Sequence, residues 1–352
     1  MVPFTIATGT MEFAQNIFIR IHTDAGFYGV GECSAFPMIT GETQSTCFEM
    51  ARDFAALINN KDPLEIEERL LQLNDYAARN TTIKSAFDMA LYDIAAKHNR
   101  QPLYEFLGGT IRDIESDLTI GIGTPESMSE QALQFKNEGV NMLKIKLGKH
   151  PFDDIQRIAA IRKAVGDQMI LRVDANQGWT FDEAMSALQG IEPFDIQFCE
   201  QPMRSYNDHR LPELRHATRN PIMADESVFD HRDAARLISA GGCDYINIKF
   251  AKSGGIHEAM KIHAICREER IPCMMGGMLE SRIALTAFVH FVYACPGIEF
   301  YDMDTCKLGH KADPVKGGVN FEKMWLRANT ESHGIGADAD DAFLASCEKI
   351  VI

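Results

Sequence analysis

The chain contains no run of eighteen uninterrupted apolar residues, and its first residues lack a basic cluster followed by an apolar stretch. A spanning helix needs about 20 such residues and a secretory leader needs that order, so neither is expected. Basic residues are the minority charge: 35 Lys and Arg stand against 50 Asp and Glu, a formal charge of −15. Nucleic acid or an anionic membrane would be repelled, which excludes both as expected partners. No Gly-x-Gly-x-x-Gly follows any apolar run, so the dinucleotide-binding form of an open α/β sheet has no support. The nine cysteines never take Cys-x-x-Cys spacing. Cys199, Cys243 and Cys273 sit in apolar runs, where a reduced thiol packs as a small hydrophobe, and a reducing cytoplasm is the expected compartment. No histidines stand four apart with an acidic partner on one helix, which removes zinc-protease chemistry, and no low-complexity segment is present.

What is present is a repeat. Eight apolar runs centre near residues 120, 145, 172, 198, 224, 248, 274 and 301, with helical patterns such as PESMSEQALQFKNEG (125–139) and FDEAMSALQGI (181–191) between them. Gaps of 24 to 27 residues are what a strand, a helix and two loops occupy. The expected fold is α/β, a modified (β/α)7β TIM-type barrel, with an open doubly wound sheet as the rival. At 352 residues the chain exceeds a bare barrel of about 250, and its two ends read differently. Alternating IFIRIHT (17–23) and FYGVGECS (27–34) flank Asp24-Ala25-Gly26 as a hairpin, and helices follow near 43–58, 63–76 and 81–98. Residues 305–352 show little regular pattern before DDAFLASCEKIVI. The expected plan is an α+β capping domain formed from both chain ends. Residues 1–113 are its N-terminal part, 114–304 the barrel, and 305–352 the segment completing the cap.

Three of the runs close on a carboxylate: Asp174 in MILRVDAN, Glu200 in IQFCEQP and Asp225 in PIMADES. Spacings of 26 and 25 residues put them at the same end of neighbouring parallel strands. Like charges so close cannot all stay ionised without a cation, and hard oxygen ligands suit Mg²⁺. Lys144 and Lys146 share one face of the second barrel strand, and Lys249 closes the sixth. In a closed barrel those strands lie on opposite sides of the axis, so a lysine stands on each side of whatever the metal holds. Beside Lys144 and a divalent cation, Lys146 should titrate below the usual ~10.4 and become a usable base.

With ALYDIAAKHNRQPLYEFLGG (90–109), LKIKLG (143–148), RVDANQGW (172–179), EQP (200–202), MADES (223–227) and NIKFAKSGG (247–255), the motifs run over nearly the whole length. The chain resembles the enolase superfamily, in its muconate-lactonizing-enzyme-like subgroup, and within it the dipeptide epimerases. The resemblance implies one Mg²⁺ per subunit on Asp174, Glu200 and Asp225. It makes Lys146 and Lys249 the acid/base pair on opposite faces of the substrate α-carbon, with Lys144 stabilising charge and lowering its neighbour's pKa. Asn176 and Glu226 match positions that orient ligands and lysines through hydrogen bonds. The implied reaction inverts the α-carbon of the C-terminal residue of a dipeptide by 1,1-proton transfer through a metal-stabilised enediolate, with no organic cofactor. A homo-oligomer is expected.

Asp302 and Asp304, at the end of the eighth strand, share a face at period two. Dipeptide epimerases carry an Asp-x-Asp here that binds the substrate ammonium, whereas an anionic N-acyl group would be repelled. N-acylamino acid racemase and o-succinylbenzoate synthase are the alternatives within the superfamily. A Schiff-base aldolase using Lys146 or Lys249 would leave the acidic triad unexplained, and a non-catalytic barrel would not need both lysines.

Side-chain selectivity should come from loops 4–11 and 33–43. Relatives acting on Ala-Glu place a basic residue in the first, where this chain has Thr8, Gly9 and Thr10. Phe36 and Ile39 form either an apolar lid or cap core, and the expected substrates are hydrophobic dipeptides rather than Ala-Glu. Met278 and Glu280, just past the seventh strand, complete the expected substrate pocket, although Met278 also fits barrel core and Glu280 a helix cap. Ser253-Gly254-Gly255 has the form of an anion cradle at a helix start, but in the family the chain resembles this stretch simply follows the catalytic strand, and it is discounted as a binding site.

Overall fold

The computed structural model describes residue 1 and residues 3–352. The N-terminal stretch pairs with itself: β1 (Phe4–Ile6) runs antiparallel to β2 (Gly9–Met11), so the expected loop 4–11 is a short hairpin. The second hairpin is as expected. β3 (Asn16–His22) and β4 (Tyr28–Ser34) are antiparallel, and the Thr23 N–H donates to Phe27 O at 3.0 Å across the turn. Helices α1 (Pro37–Thr40), α2 (Gln44–Ile58), α3 (Ile66–Tyr76), α4 (Thr81–His98) and α5 (Leu103–Phe106) follow. A capping box of Thr43 and Thr46 starts α2. Helix α4 is buried on nearly every side, which is why its sequence is apolar all round. Against it pack Ile17, Cys33, Phe54 and Leu73.

Strand β4 lies so close to α4 that side chains do not fit between them. A Cβ at Gly31 would sit 1.8 Å from the Ala86 carbonyl oxygen, and one at Gly29 2.0 Å from that of Ala90. Gly31→Ala is therefore expected to destabilise the protein by about 1–3 kcal/mol or more, because the obstacle is backbone. An unchanged denaturant midpoint would contradict this close approach.

The eight apolar runs are eight parallel strands: β5 (Leu118–Ile120), β6 (Met142–Lys146), β7 (Ile170–Asp174), β8 (Ile196–Glu200), β9 (Ile222–Ala224), β10 (Tyr245–Ile248), β11 (Cys273–Gly276) and β12 (Ile298–Asp302). Between them lie α6 (Pro125–Asn137), α7 (Pro151–Val165), α8 (Phe181–Ile191), α9 (Leu211–Ala217), α10 (His231–Ser239), α11 (Phe250–Ser253), α12 (Ile256–Glu268) and α13 (Arg282–Ala294). Strands pair in sequence order, and the Asp117 N–H donates to Tyr301 O at 3.1 Å where β5 meets β12. This is the (β/α)7β barrel.

Period two sorts the strand residues into layers. Leu143, Ile145, Leu171, Val173, Ile246 and Ile248 are buried outward under the helices. Phe198, Met223, Met274 and Phe300 pack inside as an apolar floor, with the Arg172 guanidinium 5.3 and 5.4 Å from the Phe198 and Phe300 rings. Two residues further along the same strands come Asp174, Glu200, Asp225, Gly276 and Asp302. The barrel therefore changes from apolar to ionisable within one strand repeat, at the C-terminal ends where such barrels hold their chemistry.

The C-terminal segment carries more structure than its sequence pattern suggests: β13 (Val315–Gly317), β14 (Asn320–Glu322), β15 (Trp325–Arg327), β16 (Ala337–Ala339) and α14 (Asp341–Ala345). β13 pairs with β16 and β14 with β15. At the start of α12, Asp88 of α4 accepts the Ile256 and His257 N–H groups at 2.5 and 3.1 Å. The anion cradle read from Ser253-Gly254-Gly255 is thus filled by the protein's own carboxylate. No helix among the described residues is long and apolar enough to cross a membrane.

Candidate active site

The register that pairs Lys146 with Asp174, and Asp174 with Glu200, gathers the predicted residues at one level. Lys146 Nζ donates to Asp174 Oδ2 at 2.6 Å, and Lys249 Nζ to Asp225 Oδ2 at 2.9 Å. Lys144 Nζ lies 2.6 Å from Asp302, 2.7 Å from Glu200 and 3.2 Å from Asp174. Strands β6 and β10 stand four places apart in an eight-stranded order, so Lys146 and Lys249 approach from opposite sides.

All of these groups are buried, and burial disfavours every charge. The pairing decides the outcome. Burial would lower the Lys144 pKa, but Asp302, Glu200 and Asp174 hold it well above the usual lysine range. Lys249 is likewise raised, as Asp225 and Glu200 outweigh burial. Asp174 and Asp225 stay below the usual carboxylate range because Lys146 and Lys144, and Lys249 and Lys252, overcome burial. Glu200 is pushed up to about 7 by burial and the charge of Asp174.

A hard cation fits here on the chemistry of the donors. Asn176 Oδ1, Glu200 Oε2, Asp225 Oδ1, Glu226 Oε2 and Asn247 Oδ1 are buried acceptor oxygens without a well-formed hydrogen bond, and Asp117 Oδ1 on the far side of Lys144 is another. For Glu200 Oε2 and Asp225 Oδ1 an ammonium stands 2.7 and 2.6 Å away, from Lys144 and Lys252, but off the hydrogen-bonding direction. A second acidic group is more tightly spaced: Asp117, Asp302 and Asp304 each offer one oxygen within 4.8 Å of the others, which by spacing alone could hold a metal. Arg172 already meets Asp117 at 2.8 Å, and Lys144 meets Asp302. Lysine ammonium groups stand among the Asp174, Glu200 and Asp225 oxygens as well.

Asn176 and Glu226 lie beside this cluster. Asn176 donates to Glu226 at 3.4 Å, while its N–H donates to Asp174 Oδ1 at 2.8 Å. Asn176 and Gln177 take left-handed backbone angles, φ 41° and 65°, a strained turn held by its surroundings at the end of β7. Burial, then the charges of Asp225 and Asp174, push Glu226 up to about 8. Asp304 Oδ2 accepts the Thr119 N–H at 2.7 Å, and burial with Asp302 and Asp117 lifts its carboxyl to about 8.

A cavity of about 40 Å³ opens between this level and the cap. Its apolar wall is Phe4, Ile6, Met11, Phe36, Ile39, Met278, Leu279 and Leu308, and its polar floor includes Thr119, Lys146, Asn176, Lys249, Asp302 and Asp304. Two expected pocket residues are not brought to this wall. Gly9 is not in the cavity lining, and a Cβ there would sit 3.0 Å from the Met38 sulfur. Glu280 turns its carboxylate to the Met278 N–H at 2.5 Å, the nearest donor that burial would otherwise leave empty.

Asp117, Thr119, Arg172, Asn247 and Lys252 escape the sequence reading. Arg172 stands two residues before Asp174 and Asn247 two before Lys249, so period two marks both. Lys252 follows Lys249 by three, one turn of α11, and is buried against Asp225.

Residues 127–343 match the family described as enolase C-terminal domain-like, and residues 1–108 match the mandelate racemase / muconate lactonizing enzyme N-terminal domain. The chain is 40% identical over 351 residues to the D-Ala-D/L-Ala epimerase of Cytophaga hutchinsonii, covering 99% of this chain and 95% of that protein. It is 39% identical over 334 residues to the hydrophobic dipeptide epimerase of Enterococcus faecalis, covering 95% and 94%. Among solved structures, the C. hutchinsonii dipeptide epimerase complexed with Mg and D-Ala-L-Val superposes with a TM-score of 0.97 at 40% identity, covering 99% of this chain and 95% of that one. The E. faecalis dipeptide epimerase complexed with Mg and L-Leu-L-Tyr gives 0.91 at 38%, covering 95% of each.

Proposed function

The chain belongs to the enolase superfamily, in its mandelate racemase and muconate lactonizing branch, and from that premise we propose that it is a Mg²⁺-dependent dipeptide epimerase favouring hydrophobic dipeptides. Asp174, Glu200 and Asp225 would hold the ion, as three hard oxygen donors brought to one level at the ends of neighbouring strands β7, β8 and β9. Bound Mg²⁺ supplies electrostatic stabilisation for the negative charge that grows on the substrate carboxylate as the α-proton leaves. The chain's own residues do the rest. Lys146 Nζ takes the α-proton of the C-terminal residue from one face, and Lys249 Nζ delivers one to the other. Their roles exchange in the reverse direction. Lys144 stays charged between Glu200 and Asp302, a fixed cation at the base of the site. Asp302 and Asp304 receive the substrate ammonium and disfavour an anionic N-acyl group.

The observation that carries this reading is the opening of both lysines and both aspartates into one cavity under an apolar lid. Lys146 and Lys249 are the only basic residues in its lining among the described residues, which leaves no separate partner for a glutamate side chain. We place the enzyme in the cytoplasm, as a homo-oligomer; seven buried free thiols suit a reducing compartment. A dipeptide panel incubated with Mg²⁺ in D₂O, read by mass spectrometry, tests the assignment.

Asp304→Asn gives the sharper test, because the amide oxygen can still accept the Thr119 N–H. A charge-assisted hydrogen bond contributes about 1.5–3 kcal/mol, so kcat/KM for dipeptides is expected to fall about 10- to 100-fold. N-acetylating the substrate should cost the wild type a similar amount and the variant little more. Wild-type preference for N-acylated amino acids over dipeptides would overturn the assignment.

A further inference from the structure

The loop from β11 to α13 supplies Met278 and Leu279 to the cavity wall, yet its backbone is held by the cap. The Leu279 N–H donates to Ser34 Oγ at 3.2 Å, and Asn16 Nδ2 donates to Leu279 O at 3.0 Å. The same Asn16 amide donates to Glu32 Oε1 at 2.7 Å. Glu32, only 1% exposed, also accepts the Ser281 N–H at 2.7 Å, the Ser281 hydroxyl at 2.8 Å and the Ala284 N–H at 3.0 Å. One cap carboxylate thus satisfies the start of α13, and its neighbours grip both polar backbone atoms of Leu279. The lid begins immediately beyond Ser34, and Phe36 packs in one apolar cluster with Met278 and Leu279. The two walls of the side-chain pocket hang from the same short stretch of β3 and β4.

We propose that Asn16, Glu32 and Ser34 are positioning residues that set the side-chain selectivity of the site, by fixing the Met278–Leu279 wall relative to Phe36. None of the three lines the cavity. This rests on the dipeptide reading above only for the choice of substrate. Loss of a grip lets the wall shift, which changes the fit of a large side chain more than that of a methyl group.

The test uses Asn16→Ala and Ser34→Ala, which leave every wall side chain in place, with Glu32→Gln as a third variant and Asp88→Asn as control. Asp88 ties the cap to α12 without touching this loop. The ratio of kcat/KM between L-Ala-L-Ala and L-Ala-L-Phe is expected to shift about tenfold in Asn16→Ala and Ser34→Ala, mainly through KM, and to stay within about twofold in Asp88→Asn. An unchanged ratio in the first two, or an equal shift in the control, overturns the proposal. If the wild type epimerises no dipeptide, the functional reading fails separately, and hydrogen exchange decides the clamp. Faster exchange of the Leu279 amide in both variants then supports it, and unchanged protection overturns it.

Discussion

Replacing Lys249 by alanine is expected to stop epimerisation while leaving half of the proton chemistry running. Lys146 still faces the α-carbon from its own side, so one diastereomer keeps exchanging its α-proton with solvent. Lys146→Ala should show the converse, exchanging only the other diastereomer. Losing a positioned acid or base lowers a rate about 10²- to 10⁴-fold, so each variant should fall by that factor in inversion. Both should remain folded, because the carboxylates left behind keep cations: Lys252 stays 2.6 Å from Asp225, and Lys144 stays 3.2 Å from Asp174. The experiment follows deuterium uptake into each diastereomer separately. Identical uptake patterns in the two variants would end the two-base scheme.

An effect of similar size is expected at Glu200. Its Oε1 accepts from Asn247 Nδ2 at 2.8 Å, and its Oε2 has no well-directed donor. In Glu200→Gln the amide oxygen keeps the Asn247 bond, but an NH₂ stands where Oε2 faced the Lys144 ammonium and the negative charge disappears. A metal site of this kind contributes several kcal/mol of charge stabilisation, so turnover should fall by about 10³-fold or more. Titration calorimetry should show Mg²⁺ binding weakened in parallel, with the circular dichroism of the fold unchanged. Full wild-type turnover in excess chelator would remove the metal from the account altogether.

The sequence exposed the barrel because its signal is redundant: eight runs at nearly constant pitch survive any single misreading. Lys144 and Lys146 could be put on one face because period two sends alternate residues of a strand to the same side, and Asp174, Glu200 and Asp225 could be put at one level because their spacing equals the strand repeat. Strands β13 to β16 were not legible, since three residues are too few for alternation to show. Glu280 stayed open between pocket and helix cap because a carboxylate beside a pocket can face a ligand or a bare N–H, and only local geometry selects, here the Met278 N–H. Asp88 meets Ile256 across 168 residues of chain, a distance over which pattern carries no information. The lid was half legible: Phe36 and Ile39 do reach the cavity, whereas Gly9 serves it only by giving room to Met38.

Asp88 and Glu32 also bear on how such a protein can be rebuilt from parts. Each is an acid on the cap whose natural complement is the exposed end of a barrel helix, α12 for one and α13 for the other. A cap transplanted from another barrel would leave those amides empty unless it brought carboxylates to the same two points, however well its apolar surface matched. Compatibility between the halves is therefore encoded in a pair of keyed joints, and chimaeras of this enzyme should be chosen by those two acids before overall similarity is considered.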